Sequence, residues 1–98
     1  MPFNRHGNRS FTAVSIGNNA PAASGVYGLS DARGWIYVGA TANIYAELLR
    51  HLREPDALLR ANRPSGFTFE LCPAEQRVGR RNALVTELDP IVNRHIGR

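Results

Sequence analysis

Two short runs, Val26-Tyr27-Gly28-Leu29 and Trp35-Ile36-Tyr37-Val38, stand on either side of Ser30-Asp31-Ala32-Arg33-Gly34. Aromatic and β-branched residues suit a pleated, half-buried surface. A short polar connection containing glycine is what a hairpin needs, with Gly34 available for a positive-φ position. The pair therefore predicts an antiparallel hairpin. A hairpin alone is marginal in water, so the rest of the chain must cover its faces.

The remaining segments supply that cover. Thr41 is a candidate N-cap for a helix from about Ala42 to Arg53, stopped by Pro55, and Asp56 can cap a second short helix through Asn62. Pro64-Ser65-Gly66 reads as a turn. Phe67-Thr68-Phe69-Glu70-Leu71 alternates apolar and polar residues, which predicts a third strand. Pro73 opens a last helix that ends near Leu88, before Asp89-Pro90. Upstream, residues 1–9 read as a basic arm, Ser10 to Ile16 as a candidate extra strand, and Gly17 to Ala23 as a turn-rich stretch. The order is β-β-α-α-β-α. It predicts an α/β (α+β) fold in which a small three-stranded antiparallel sheet is flanked by helices.

With 98 residues and 43% apolar content, the chain suits one domain with a modest core and is too hydrophobic for disorder. Its twelve basic residues are all arginine, against eight acids, and the net charge of +4 favours polyanionic partners such as nucleic acid. The one cysteine, Cys72, excludes an intramolecular disulfide and fits a reducing compartment. The first fourteen residues carry no apolar signal-peptide region, and no later run approaches a membrane span. A cytoplasmic protein is the expectation.

Gly25-Val26-Tyr27 and Tyr37-Val38-Gly39 form a spaced pair, followed by Ala40-Thr41-Ala42-Asn43-Ile44 and, at the far end, by Pro90-x-x-Asn93. On these residues the chain resembles the GIY-YIG nucleases over roughly residues 20–93. The resemblance implies residues 20–98 as the GIY-YIG-like domain, with residues 1–19 as a basic arm or extra strand outside it. In such nucleases a tyrosine near the scissile phosphate helps activate water, an arginine on the first helix stabilises phosphate charge, and a glutamate on the last helix holds one divalent metal. Each requirement is physical, because charge builds on the phosphoryl oxygens and the attacking water must be positioned. Carried onto this sequence, the resemblance makes Tyr27 and Tyr37 the motif tyrosines and His51 a matching histidine. Gly25, Gly39, Asn43 and Asn93 are motif landmarks, with Gly39 expected to keep backbone close to the substrate side. The arginine position holds Glu47, and the glutamate position holds Arg81. Both charges are reversed.

A helical wheel gathers Ala74, Val78, Leu84, Val85 and Leu88 on one face of the last helix, with Arg81 in its middle. An unpaired guanidinium facing a core is costly, and Glu47 lies along the edge of the Ile44, Leu48, Leu52 stripe. A direct or water-bridged Glu47–Arg81 pair is therefore expected. Arg50, Arg53, Arg77 and Arg80 are candidate phosphate contacts, and as readily solvated faces. The tyrosines read equally as ordinary sheet-packing residues, His51 as a helix-face histidine, Glu70 and Glu75 as surface acids, and Cys72 as an inert thiol. His6 and His95 have no spacing that makes a metal site with His51.

Three functions follow. The favoured one is a nucleic-acid-binding protein, with DNA the expected partner, that has lost or weakened phosphodiester cleavage. The second is an active endonuclease with the pair exchanged, in which Glu47 holds magnesium or manganese and Arg81 meets the phosphate. The third is a non-catalytic protein-interaction domain.

Overall fold

Alternation along the hairpin sets the two faces of the sheet, and each face is covered by a different group of helices. The computed structural model describes residues 8–95. In chain order the elements are β1 (Arg9–Ser10), α1 (Ala13–Asn19), β2 (Gly25–Asp31), β3 (Gly34–Thr41) and α2 (Ile44–Arg53). They continue with α3 (Ala57–Asn62), β4 (Gly66–Leu71), α4 (Ala74–Leu88) and α5 (Ile91–His95). The antiparallel sheet runs β1-β4-β2-β3.

Tyr27 and Leu29 of β2 sit opposite Phe69 and Phe67 of β4. With Ile16, Ile44, Leu48 and Leu59 they form the larger core under α1, α2 and α3. Val26 and Val38 turn the other way and pack with Leu84, Val85 and Leu88 of α4. The β2–β3 register slips between Leu29 and Ser30. Such an irregularity re-aims side chains, and adjacent Ile36 and Tyr37 both reach the larger core while Trp35 packs against the α4 side.

The expected β-β-α-α-β-α order is present, with β1 and α1 before it and α5 after it. The sheet has four strands where three were expected. Only Arg9–Ser10 of the candidate extra strand pairs, and residues 13–19 are helical. Thr12 caps that helix by accepting from the Ser15 N–H, so a β-branched run is overruled by a cap and by one buried side chain, Ile16. The basic arm falls outside the described residues except for Asn8 and Arg9. The hairpin connection is Ala32-Arg33, shorter than expected, with the Asp31 carboxylate accepting from the Arg33 and Gly34 backbone N–H groups. Gly34 does adopt φ 146°. Asn43, rather than Thr41, caps α2, and Thr41 Oγ1 accepts from the Asn43 N–H. No helix among the described residues is long and apolar enough to cross a membrane.

Helix α4 corrects the wheel. Only Leu84 and Val85 on it are buried, and Val78 is 66% exposed. The helix meets the sheet with its C-terminal half, so its first turns carry no core face.

Candidate functional site

Tyr27, Tyr37, Glu47 and His51 converge where β2 and β3 face α2. Tyr27 is buried, and its hydroxyl is hydrogen-bonded to His51 Nε2 at 2.7 Å. The Tyr37 ring lies 6.1 Å from that of Tyr27 and 5.6 Å from that of His51. Glu47 Oε2 lies 3.7 Å from His51 Nε2, one helical turn away.

Backbone geometry at both motif glycines keeps this arrangement open. Gly39 pairs with Tyr27 across the strands, and a Cβ there would lie 2.5 Å from the Tyr27 hydroxyl. The absence of a side chain there leaves room for the tyrosine ring. A Cβ at Gly25 would meet the Glu70 carbonyl oxygen at 2.3 Å and the Ile44 side chain at 2.7 Å. Asn93 is fully buried on α5, where it accepts from the Val38 N–H at 2.8 Å and donates to the Val38 carbonyl at 3.0 Å. It thereby satisfies the outer edge of β3.

Burial is the main reason that Tyr27 resists ionisation, with Tyr37 and Glu47 adding to it. Its hydroxyl stays protonated beside the His51 ring. Burial also lowers the His51 pKa, followed by the Arg50 charge, with Glu47 and Asp56 opposing. A neutral imidazole beside a phenol can accept a proton.

The Glu47 carboxylate forms a hydrogen-bonded ion pair with Arg50, three residues on. Arg81 is half-buried and donates to Asn82 Oδ1 at 2.8 Å, and Glu47 and Arg81 form no direct ion pair. The expected direct contact is thus absent, because a partner on the same helix takes the carboxylate. The other arginines divide. Arg80 is bidentate to Glu70 at 2.8 and 2.9 Å, and Arg77 donates to Ser24 Oγ at 3.0 Å. Glu70 is buried at 9% exposure, against the surface reading, and it anchors Arg80 to the sheet. Arg53 is exposed, and its side chain makes no hydrogen bond or ion pair with the described residues.

No family profile matches the sequence, and no curated protein matches it. Solved structures do match. The GIY-YIG N-terminal endonuclease domain of UvrC from Thermotoga maritima, as an asparagine point mutant bound to its catalytic divalent cation, superposes with a TM-score of 0.64. Identity is 17%, over 74% of this chain and 83% of that one. The magnesium-bound form of the same domain gives a TM-score of 0.63 at 18% identity, over 74% and 84%. The chain has the GIY-YIG fold. The two motif runs lie in β2 and β3 of that fold, and Asn43 and Asn93 serve it as a helix cap and an edge-strand clamp.

Magnesium is held through one or two carboxylates, together with water and substrate oxygens. Glu47 is the carboxylate beside the tyrosines, and Arg50 is ion-paired with it. Among the described residues no three His, Cys, Asp or Glu side chains come together as ligands. Glu47 is the carboxylate that would hold such an ion, and it would have to leave Arg50 to do so.

Proposed function

We propose that this chain is a nucleic-acid-binding protein of GIY-YIG fold, with DNA as its partner, in which phosphodiester cleavage is lost or nearly so. The observation that carries the reading is the fate of Glu47. At the position where the resemblance calls for an arginine to meet phosphate, an acid stands instead and is held by Arg50. At the position where it calls for a metal-holding glutamate, Arg81 stands, bonded to Asn82. Tyr27, Tyr37 and His51 keep the motif places, while the one charged group of the resemblance's arginine position is an acid already paired with Arg50, which argues against stabilisation of a reacting phosphate there. Likeness to the UvrC domain supports a nucleic-acid partner, and the net charge of +4 supports an electrostatic mode of binding.

The test is incubation of the protein with single-stranded, duplex and branched DNA under magnesium and under manganese, with binding followed in parallel. Binding that falls steeply with salt, without cleavage above background, is the expected result. Metal-dependent cleavage by the native protein that disappears in Glu47→Ala would instead assign the exchanged, catalytic arrangement. Absence of binding even at low salt would assign a protein-interaction domain.

A further inference from the structure

Sharing His51 with the tyrosine–histidine cluster, a cleft of about 260 Å3 lies between α2, α3 and the segment after β1. His51 lines it, along with Phe11, Leu52 and Leu59 from the core, and Arg60 and Arg63 stand among its walls. Arg60 Nη2 donates to the Pro55 carbonyl at 3.0 Å, which fixes the guanidinium and leaves its other N–H donors unspent. Arg63 makes no side-chain hydrogen bond or ion pair with the described residues. The His51 ring uses Nε2 on Tyr27, its Nδ1 has no partner among the described residues, and no fully buried side-chain nitrogen there is left unsatisfied. Nδ1 is therefore open to solvent.

We propose that this cleft binds one nucleotide unit, with its base on the apolar floor of Phe11, Leu52 and Leu59 and its phosphate on Arg60, Arg63 and His51 Nδ1. Two guanidinium groups and an imidazole suit the roughly −1.5 to −2 charge of a phosphate monoester better than the single charge of a carboxylate. The volume decides how much ligand enters. At about 30 Å3 per water it holds some nine waters, below the roughly 300 Å3 at which pockets for drug-sized ligands begin. The base fits inside, with sugar and phosphate at the rim beside the arginines, and a strand does not fit. The unit is a free mononucleotide or the phosphorylated end of a strand, and the site stands on the cleft alone, whether or not the protein cleaves DNA. A phosphate accepting from His51 Nδ1–H fixes the tautomer in which Nε2 accepts from the Tyr27 hydroxyl. Occupancy of the cleft is thereby read at the tyrosine cluster.

The experiment is a titration of the protein with adenosine 5′-monophosphate, followed by backbone amide shifts and by the ring nitrogen shifts of His51. Saturable shifts confined to α2, α3 and Phe11, together with a His51 ring that settles into the Nδ1–H tautomer, are expected. Arg60→Ala and Arg63→Ala, both exposed positions, are expected to weaken binding about tenfold each. Arg53→Ala is expected to leave it unchanged while weakening duplex binding. Adenosine alone and inorganic phosphate alone are each expected to bind at least about tenfold more weakly than the nucleotide. No shift at millimolar nucleotide, phosphate binding as tightly as the nucleotide, or an equal loss from Arg53→Ala would each overturn the proposal. Competition by a 5′-phosphorylated oligonucleotide assigns the site to strand ends, and its failure to compete assigns it to free mononucleotides.

Discussion

Asn93→Ala is expected to destabilise the protein by about 2–5 kcal/mol, although Asn93 is hydrogen-bonded to neither tyrosine of the candidate site. β3 is an edge strand, and an edge leaves a row of backbone groups unpaired. The Asn93 side-chain amide answers both groups of Val38, at 2.8 and 3.0 Å, from a fully buried position. Truncation leaves a donor and an acceptor buried without partners, each costing about 1–3 kcal/mol, less whatever water recovers. That is a large share of the roughly 5–15 kcal/mol by which a domain is stable. Urea unfolding is the assay, with a lowered midpoint at unchanged slope. Amide exchange at Val38 separates global from local loss, because α5 cannot simply peel away without exposing Val92, which is buried in the larger core. Asn93→Asp should be at least as harmful, since a carboxylate can accept from the Val38 N–H but only repel its carbonyl. A midpoint shift worth less than about 0.5 kcal/mol, with Val38 still protected, would refute the clamp.

Gly39→Ala should cost about 1–3 kcal/mol by displacing the Tyr27 ring, and a smaller penalty in a Tyr27→Leu background would show up as coupling in a double-mutant cycle. Leu84→Ala should cost about 2–5 kcal/mol in urea unfolding, and Val78→Ala less than about 0.5, a contrast that would vanish if α4 packed along its whole length. Because burial lowers the His51 pKa in the folded state, the unfolded chain binds a proton there first. Stability should therefore fall as pH drops below about 6.5, and His51→Gln should flatten that slope. Glu47→Ala should change stability by only about 0–1 kcal/mol, because its Arg50 partner is half in water, whereas a loss of several kcal/mol would point to a buried pair with Arg81.

The hairpin and the helices that follow it were legible because glycine, proline and alternating apolar residues mark them directly. The motif glycines were visible as landmarks, but their reason was not, since the contact of Gly39 with Tyr27 lies across a strand pair and not along the chain. Thr12 to Ile16 reads as a strand by composition, and only the Thr12 cap and the burial of Ile16 alone make it helical. In β4, Thr68 and Glu70 alternate with phenylalanines as solvent-facing residues would. Both are nonetheless buried, and Arg80 of α4 reaches Glu70 on that face. Val78 failed for the opposite reason, because a wheel gives direction around a helix and says nothing about how far along it the packing extends.

The same limit explains the pair that does not form. The wheel gave Arg81 a direction shared with Leu84 and Val85, yet a side chain that long can leave the face it starts from, and Asn82 Oδ1 takes its guanidinium. Glu47 has a nearer cation three residues on, with no strand or loop between them to fix in place. Exchange of the two charges, on the proposed reading, leaves the net charge of the chain as it was and changes where each charge is held. Attraction of a polyanion depends mainly on the sum, whereas stabilisation of a reacting phosphoryl group depends on position to within a fraction of an ångström. On the proposed reading, this is how such a fold can keep its hold on nucleic acid while giving up the chemistry.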